Sequence, residues 1–444
     1  MKSDSLTMPN DQKNSRRSLE QSQAWLKRAE KLIPGCSQTF SKGPTQFMQG
    51  VAPNFIAKAK GAHVWDVDGN RYLDYILGLG PIILGHGYPA VQEAVIAQME
   101  NGLSYSLPHT LEVEVAELLA ELIPCAEMVR FAKNGSDVTT AAVRVSRGFT
   151  RRDKVACCGY HGWQDWFIGS TSRNLGVPEA VRKLTVTFSY NDLAALHRVF
   201  HDHPNEIACV ILEPVTFNLP SAGYLEGVKE LCRKNGALLV FDEVVTGFRI
   251  DLRGAQGYFG VTPDLACFGK GIANGFPLAA ITGRAEVMRL FTEVFFSTTH
   301  GGEALSLAAG LTTINEMRSK DVIGHLKKVG QKLKDETNRL AAQHGIARNV
   351  ECAGLPAWTT LRFCDAEGKA SPALRSLFQQ EALKRGLLTH GNHMLSFSHD
   401  DAIIEFTLRA YGEIFAILAE ALGNNSVEQR LESAALQPVI RQST

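Results

Sequence analysis

Between residues 129 and 282 the chain sets short apolar runs among stretches of helical spacing. The runs fall at 129–132, 154–158, 184–188, 208–215, 237–244, 264–268 and 278–282. Read as strands separated by helices, they imply right-handed crossovers. The pattern predicts an α/β fold: a mostly parallel central sheet with helices on both faces.

The flanks read differently. Trp25 to Ile33 has a helical pattern that ends at Pro34-Gly35. In "GAHVWDVDGNRYLDYILGLG", Val64-Trp65 and Tyr72-Leu73 flank Asp68-Gly69, a tight-turn signal for a β-hairpin. "LEVEVAELLAELI" (111–123) has helical spacing and stops before Pro124. From about residue 316 the texture changes. "IGHLKKVGQKLKDETNRLAAQHG" is a long amphipathic helix, another follows at about 401–422, and shorter strand candidates lie between them. The expected division is a mobile tail (1–20), an N-terminal segment packing with a small domain (21–75), a large domain (76–315), a small α+β domain (316–424) and a loose tail (425–444).

Composition excludes several function classes. Lysine plus arginine equals aspartate plus glutamate at 46 each, so net charge argues for neither nucleic acid nor an anionic membrane as partner. No apolar run approaches the roughly 20 residues that span a bilayer. The N-terminus lacks the apolar core of a secretion signal. Nine cysteines without framework spacing fit reduced thiols and a cytoplasmic location. Cys157 and Cys158 are expected as core filler. There is no HExxH and no CxxC pair, so no metal site is expected.

Ligands of open parallel sheets bind beyond the carboxyl ends of strands. Three such ends carry charge: Glu213-Pro214, Asp242-Glu243, and Lys270 between two glycines. Unpaired charges there would cost heavily in desolvation, so they pair with each other or with a charged ligand. A desolvated lysine is a nucleophile toward aldehydes. Pyridoxal phosphate (PLP) needs such a lysine, an aspartate that keeps its ring nitrogen protonated, and backbone N–H groups at a helix start for its phosphate. "FAKNGSDVTTAAV" supplies a strand, Asn134-Gly135-Ser136-Asp137, and a helix start. Tyr160, in "GYHGWQD", is placed to stack on a cofactor ring. Singly, each has a plainer reading: a solvated lysine, a capped loop, a structural acidic pair, a core tyrosine and histidine. Their joint occurrence at successive strand ends favours the cofactor reading.

These residues resemble a known family. "FDEVVTGFR…GAQGYFGVTPDLACFGKGIANGFPLAAITGR" is similar to the signature of class III PLP-dependent aminotransferases, of fold type I, nearest to glutamate-1-semialdehyde 2,1-aminomutase. The likeness runs from about Ile33 to Gly310 and, more weakly, to about 422. It implies that Lys270 forms the Schiff base and shuttles a proton, and that Asp242 pairs with the pyridinium nitrogen. Val244 would pack on the ring face opposite Tyr160, with His161 and Glu213 close by. Gly135 and Ser136 would hold the phosphate. Asn218 would reach the ring hydroxyl. Thr299, or its neighbour Thr298, would reach the phosphate of a second subunit, which makes a homodimer expected.

The departures from that aminomutase cluster on the substrate side. "NGSDVT" stands for its "NSGTEA", and "TTHGGE" for its "TLSGNP", bringing His300 and Glu303 near the site. "SQTFSKG" puts Thr39 and Lys42 where a serine and an arginine hold its substrate carboxylate. The loop after "YHG" is shorter, and "THGNHM" offers His390, Asn392 and His393 in place of a glutamate. The resemblance with these departures implies an aminotransferase working by ping-pong exchange. A lining of His161, His300, His390 and His393 suits a hydroxylated acceptor such as a keto or aldehyde sugar. The alternatives are the aminomutase itself, a lyase or epimerase on the same cofactor, and a non-enzymatic relative. Retention of Lys270 and Asp242 argues against the last.

Overall fold

The computed structural model describes residues 17–437. The outer parts of both expected tails, 1–16 and 438–444, lie outside the described residues. Strands β1 (Ile56–Lys60), β2 (His63–Asp66) and β3 (Arg71–Asp74) form an antiparallel meander. Asp68-Gly69 makes the β2–β3 turn, with Gly69 at φ 86°. Asp68 also accepts the N–H groups of Gln21 and Ser22, each at 2.8 Å. Those are two of the orphan donors that open helix Glu20–Leu32. The helix therefore begins five residues before Trp25. Its first turn is polar, and its cap comes from a distant hairpin that spacing cannot show.

All seven apolar runs are strands: β4 (Met128–Ala132), β5 (Lys154–Cys158), β6 (Thr185–Thr187), β7 (Ile207–Leu212), β8 (Leu238–Asp242), β9 (Leu265–Phe268) and β10 (Ala279–Gly283). They form one sheet in the order β4-β10-β9-β8-β7-β5-β6. Every pairing from β9 to β6 is parallel, and β10 runs antiparallel to both its neighbours.

The runs read as continuously apolar because both faces are covered. On β7, Cys209 and Ile211 pack with Val138, Ala142 and Val145 of helix Gly135–Thr150. Val210 and Leu212 face the other way, toward Leu196 and Val228 on helices Leu193–Asp202 and Tyr224–Asn235. Each such apolar side chain is worth roughly 1.5–3 kcal/mol. Cys157 and Cys158 fill opposite faces of β5. Burial pushes both thiols up to about 12, so they act as small apolar groups.

The C-terminal part adds β11 (Val350–Leu355), β12 (Trp358–Phe363), β13 (Leu387–Leu388) and β14 (Asn392–Met394). β11, β12 and β14 form an antiparallel sheet, against which helix Val322–Gln343 packs. β13 pairs in parallel with β3, so the N-terminal meander and the C-terminal segment share a sheet. Helix Ala304–Ser319 runs through residue 315. Among the described residues no helix is long and apolar enough to cross a membrane, and no cluster of three metal-capable side chains occurs.

Candidate active site

β5, β7, β8 and β9 are adjacent in the sheet, and all four point their carboxyl ends the same way. His161, Glu213, Asp242 and Lys270 stand on those four ends. Asp242 closes β8 opposite Cys267 of β9, and Lys270 follows three residues later. The Asp242 carboxylate is held at both oxygens. Oδ2 lies 2.8 Å from His161 Nδ1, and Oδ1 accepts the Val244 N–H at 3.1 Å. The other His161 nitrogen, Nε2, is 3.1 Å from the Cys158 carbonyl oxygen. The imidazole is fully buried, so the aspartate's orientation is set from inside the protein.

Glu213 accepts the Tyr160 N–H at 2.9 Å. Its approach demands glycine at 159: φ there is 109°, and a Cβ would lie 2.6 Å from Glu213 Oε2. Burial raises the Glu213 carboxyl above its usual range, and the Asp242 charge adds to this. Burial lowers the Lys270 amine below its usual range, against the pull of Glu213 and Asp242. An amine held this way is the nucleophile that aldehyde chemistry requires. Lys270 is itself in the left-handed region, at φ 45°. Glu243, next to Asp242, has a different job. It binds the N–H groups of Ala255 and Gln256 and the Thr246 hydroxyl, which makes it a buried structural acceptor.

The fourth component is the start of helix Gly135–Thr150. Asp137 Oδ2 accepts the Asn134 N–H at 2.8 Å, fixing the turn. Among the described residues no acceptor takes the N–H of Gly135 or Ser136. They are free for an anion. Gly135 is needed for contact, since a Cβ would come within 3.0 Å of Val244 Cγ1. Gly162, at φ 108°, lies so close to Ser136 that a Cβ would meet its Oγ at 2.3 Å. The 160–162 segment thus folds over the helix start. An anion cradle, a fixed carboxylate and a desolvated lysine on neighbouring elements fit PLP.

A model of the class III aminotransferases matches residues 47–400. The chain belongs to that family. Among solved structures, the FumI protein of Sphingopyxis sp. MTA144, in its PLP internal aldimine form, is 27% identical with a TM-score of 0.84, covering 90% of this chain and 97% of that one. A β-phenylalanine aminotransferase from Variovorax paradoxus is 28% identical with a TM-score of 0.80, over 88% and 93%. A glutamate-1-semialdehyde aminomutase from Pseudomonas aeruginosa PAO1 shares the fold at 22% identity and a TM-score of 0.79, over 90% and 94%. Class III aminotransferases are PLP-dependent, and the architecture is fold type I.

The remaining expected contacts of this class III chain have varied surroundings. Asn218 is exposed, and its Oδ1 accepts from Arg362 at 2.6 Å. The oxygen expected at the ring hydroxyl is here held by an arginine on β12. His393 is a correction. Its Nδ1 is 2.7 Å from Thr359 Oγ1 and its Nε2 2.6 Å from the Tyr411 hydroxyl, with no exposed surface. It is a satisfied core histidine, not a substrate contact. The His390 ring lies tilted against Phe47, with centroids 4.6 Å apart. Thr39 and exposed Lys42 flank Phe40, whose ring lies 4.6 Å from the Arg173 guanidinium. Thr298, Thr299 and His300 are exposed in a loop. Tyr160 is half exposed, with Phe167 against it edge-on.

Two features escape sequence reasoning. Lys133, just before the cradle, pairs with Glu303 at 2.9 Å. Arg249 is buried close to Lys270. The only sequence signal for Arg249 is a charge closing the otherwise uncharged "VVTGFR".

Proposed function

We propose that this class III enzyme is an aminotransferase that moves an amino group from an amino-acid donor to an aldehyde or ketone acceptor in two half-reactions. The observation that carries it is the meeting of a desolvated Lys270, just beyond β9, with Asp242 at the end of the neighbouring β8, its carboxylate held by His161 from beyond β5. PLP, when bound, supplies an aldehyde and an electron-withdrawing ring. The chain's own residues do the rest. Lys270 would hold the group through its amine and would move a proton at the substrate carbon. Asp242 keeps a proton on the ring nitrogen. Gly135 and Ser136 would fix the phosphate, and Val244 and Tyr160 would confine the ring.

A second copy of the chain completes this reading. Thr299 lies in an exposed loop. Ile96, Met99, Leu103 and Leu107 are exposed apolar side chains, the kind a partner covers. Of the four histidines expected to line a sugar pocket, His161 and His393 are engaged at both ring nitrogens, while His390 meets Gln379 at Nδ1, at 3.4 Å, and has no partner at Nε2 among the described residues. The acceptor reading therefore rests on the carbonyl alone.

The test is the visible spectrum of the PLP-loaded protein titrated with L-glutamate and L-alanine. Bleaching of the cofactor band by a donor, and its return with a keto acid, is the expected result. A stable band that no donor bleaches overturns the reading and leaves the intramolecular aminomutase to be tried next.

A further inference from the structure

Arg249 is among the largest fully buried side chains of the protein, and its partners are all neutral. Nη2 donates to the Gly80 carbonyl at 2.7 Å. Nη1 donates to Leu395 O at 2.8 Å and to Ala357 O at 3.3 Å. No carboxylate pairs with it among the described residues. A buried guanidinium without a counter-ion is expensive, so its position calls for a reason beyond packing.

Its three acceptors lie on three separate segments. Gly80 ends a run in which four consecutive residues have positive φ: Leu77 at 49°, Gly78 at 67°, Leu79 at 78° and Gly80 at 99°. Two of these are leucines, which avoid that region, so the turn persists only because something holds it. The turn abuts the lysine: a Cβ on Gly80 would lie 3.5 Å from Met394 Cε and 3.8 Å from Lys270 Cδ. Ala357, in the β11–β12 turn, and Leu395, just after β14, adjoin Trp358 and Met394, which form a small apolar cluster with Leu77 of the turn. Phe248, just before Arg249, is also left-handed, at φ 60°, and fully buried.

We propose that Arg249 is a positioning residue for Lys270: its guanidinium holds the 77–80 turn over the lysine side chain and sets an unneutralised positive charge close to it. Three charges act together on the amine. Glu213 and Asp242 favour its protonated form, His161 occupies one oxygen of Asp242, and Arg249 opposes protonation. Burial acts in the same direction as Arg249. Without Arg249 only burial would oppose the two carboxylates.

This rests on the assignment of Lys270 above, but its test does not need the cofactor. The full chain, stripped of cofactor, is acetylated with acetic anhydride in competition with a free peptide amine. Labelling of Lys270 is followed by peptide mass spectrometry from neutral to alkaline pH. Arg249→Met and Arg249→Gln should label Lys270 more slowly near neutrality, with the profile displaced to higher pH, each pH unit of displacement being tenfold in reactive amine. Arg249→Lys, which keeps the charge, should follow the wild type. Arg249→Gln retains a donor for Gly80 and serves if the methionine variant does not fold. If neither neutral variant folds, the lysine variant decides alone. A folded neutral variant with the wild-type profile overturns the proposal, as does a lysine variant displaced as far as the neutral ones. Failure of the aminotransferase reading looks different: the PLP-loaded wild type would ignore amino donors while these labelling profiles still separated.

Discussion

At the scale of single residues, the site depends on which hydrogen bonds are already committed. Asp242 spends one oxygen on His161 and the other on the Val244 N–H, so its direction is fixed before any ligand arrives. Asp242→Asn keeps the shape and removes the charge. It should leave the fold intact and lower transamination by at least about a hundredfold, measured as kcat/KM with a fixed donor. The strand-end placement of Lys270 and Asp242 was legible because a charge that ends an apolar run must find a partner or a ligand to offset its desolvation. His161 and His393 were not separable on the same grounds. Both follow apolar stretches, yet His393 is satisfied by Thr359 and Tyr411, neither of them near it in sequence. Spacing carries no record of such partners, and the same is true of Asn218 and Arg362.

At the scale of elements, apolar runs located every strand of the central sheet but overran some ends. The run 208–215 yields a strand only to Leu212. Beyond it the backbone leaves the sheet, and Val215 packs instead with Ile250, Ala255 and Leu355. Helix starts were legible where the cap is local, as at Asn134–Asp137. They were obscured where it is remote, as with Asp68 and helix Glu20–Leu32. Asp68→Ala should cost about 1 kcal/mol, the usual worth of a lost cap. Hydrogen exchange should show the first turn of that helix opening faster while the central sheet keeps its protection. Unchanged exchange at Gln21 and Ser22 would mean that the cap contributes nothing.

For the whole molecule, buried histidines set the acid limit. Burial brings His390 to about 4, and His393 and His399 to about 3, against 6.5 in the unfolded chain. Between roughly 3 and 6.5 the unfolded state binds more protons than the folded one. Stability is therefore full above about 6.5 and falls as the pH drops through that window, by up to about 1.4 kcal/mol per histidine per unit. Urea midpoints measured from pH 7 to pH 5 should decline accordingly, and His399→Phe should flatten the decline. The sheet order has a consequence for synthesis as well. β4, which leads into the phosphate cradle, touches only β10 in the sheet, with Ala132 opposite Ala279. A ribosome must release residues beyond 283 before β4 has a neighbour. The nascent chain can assemble the parallel strands early, but it cannot seat Gly135 until more than half its length has emerged. Cofactor loading is thereby postponed to a late stage of translation, and a stalled chain shorter than this would be blind to PLP.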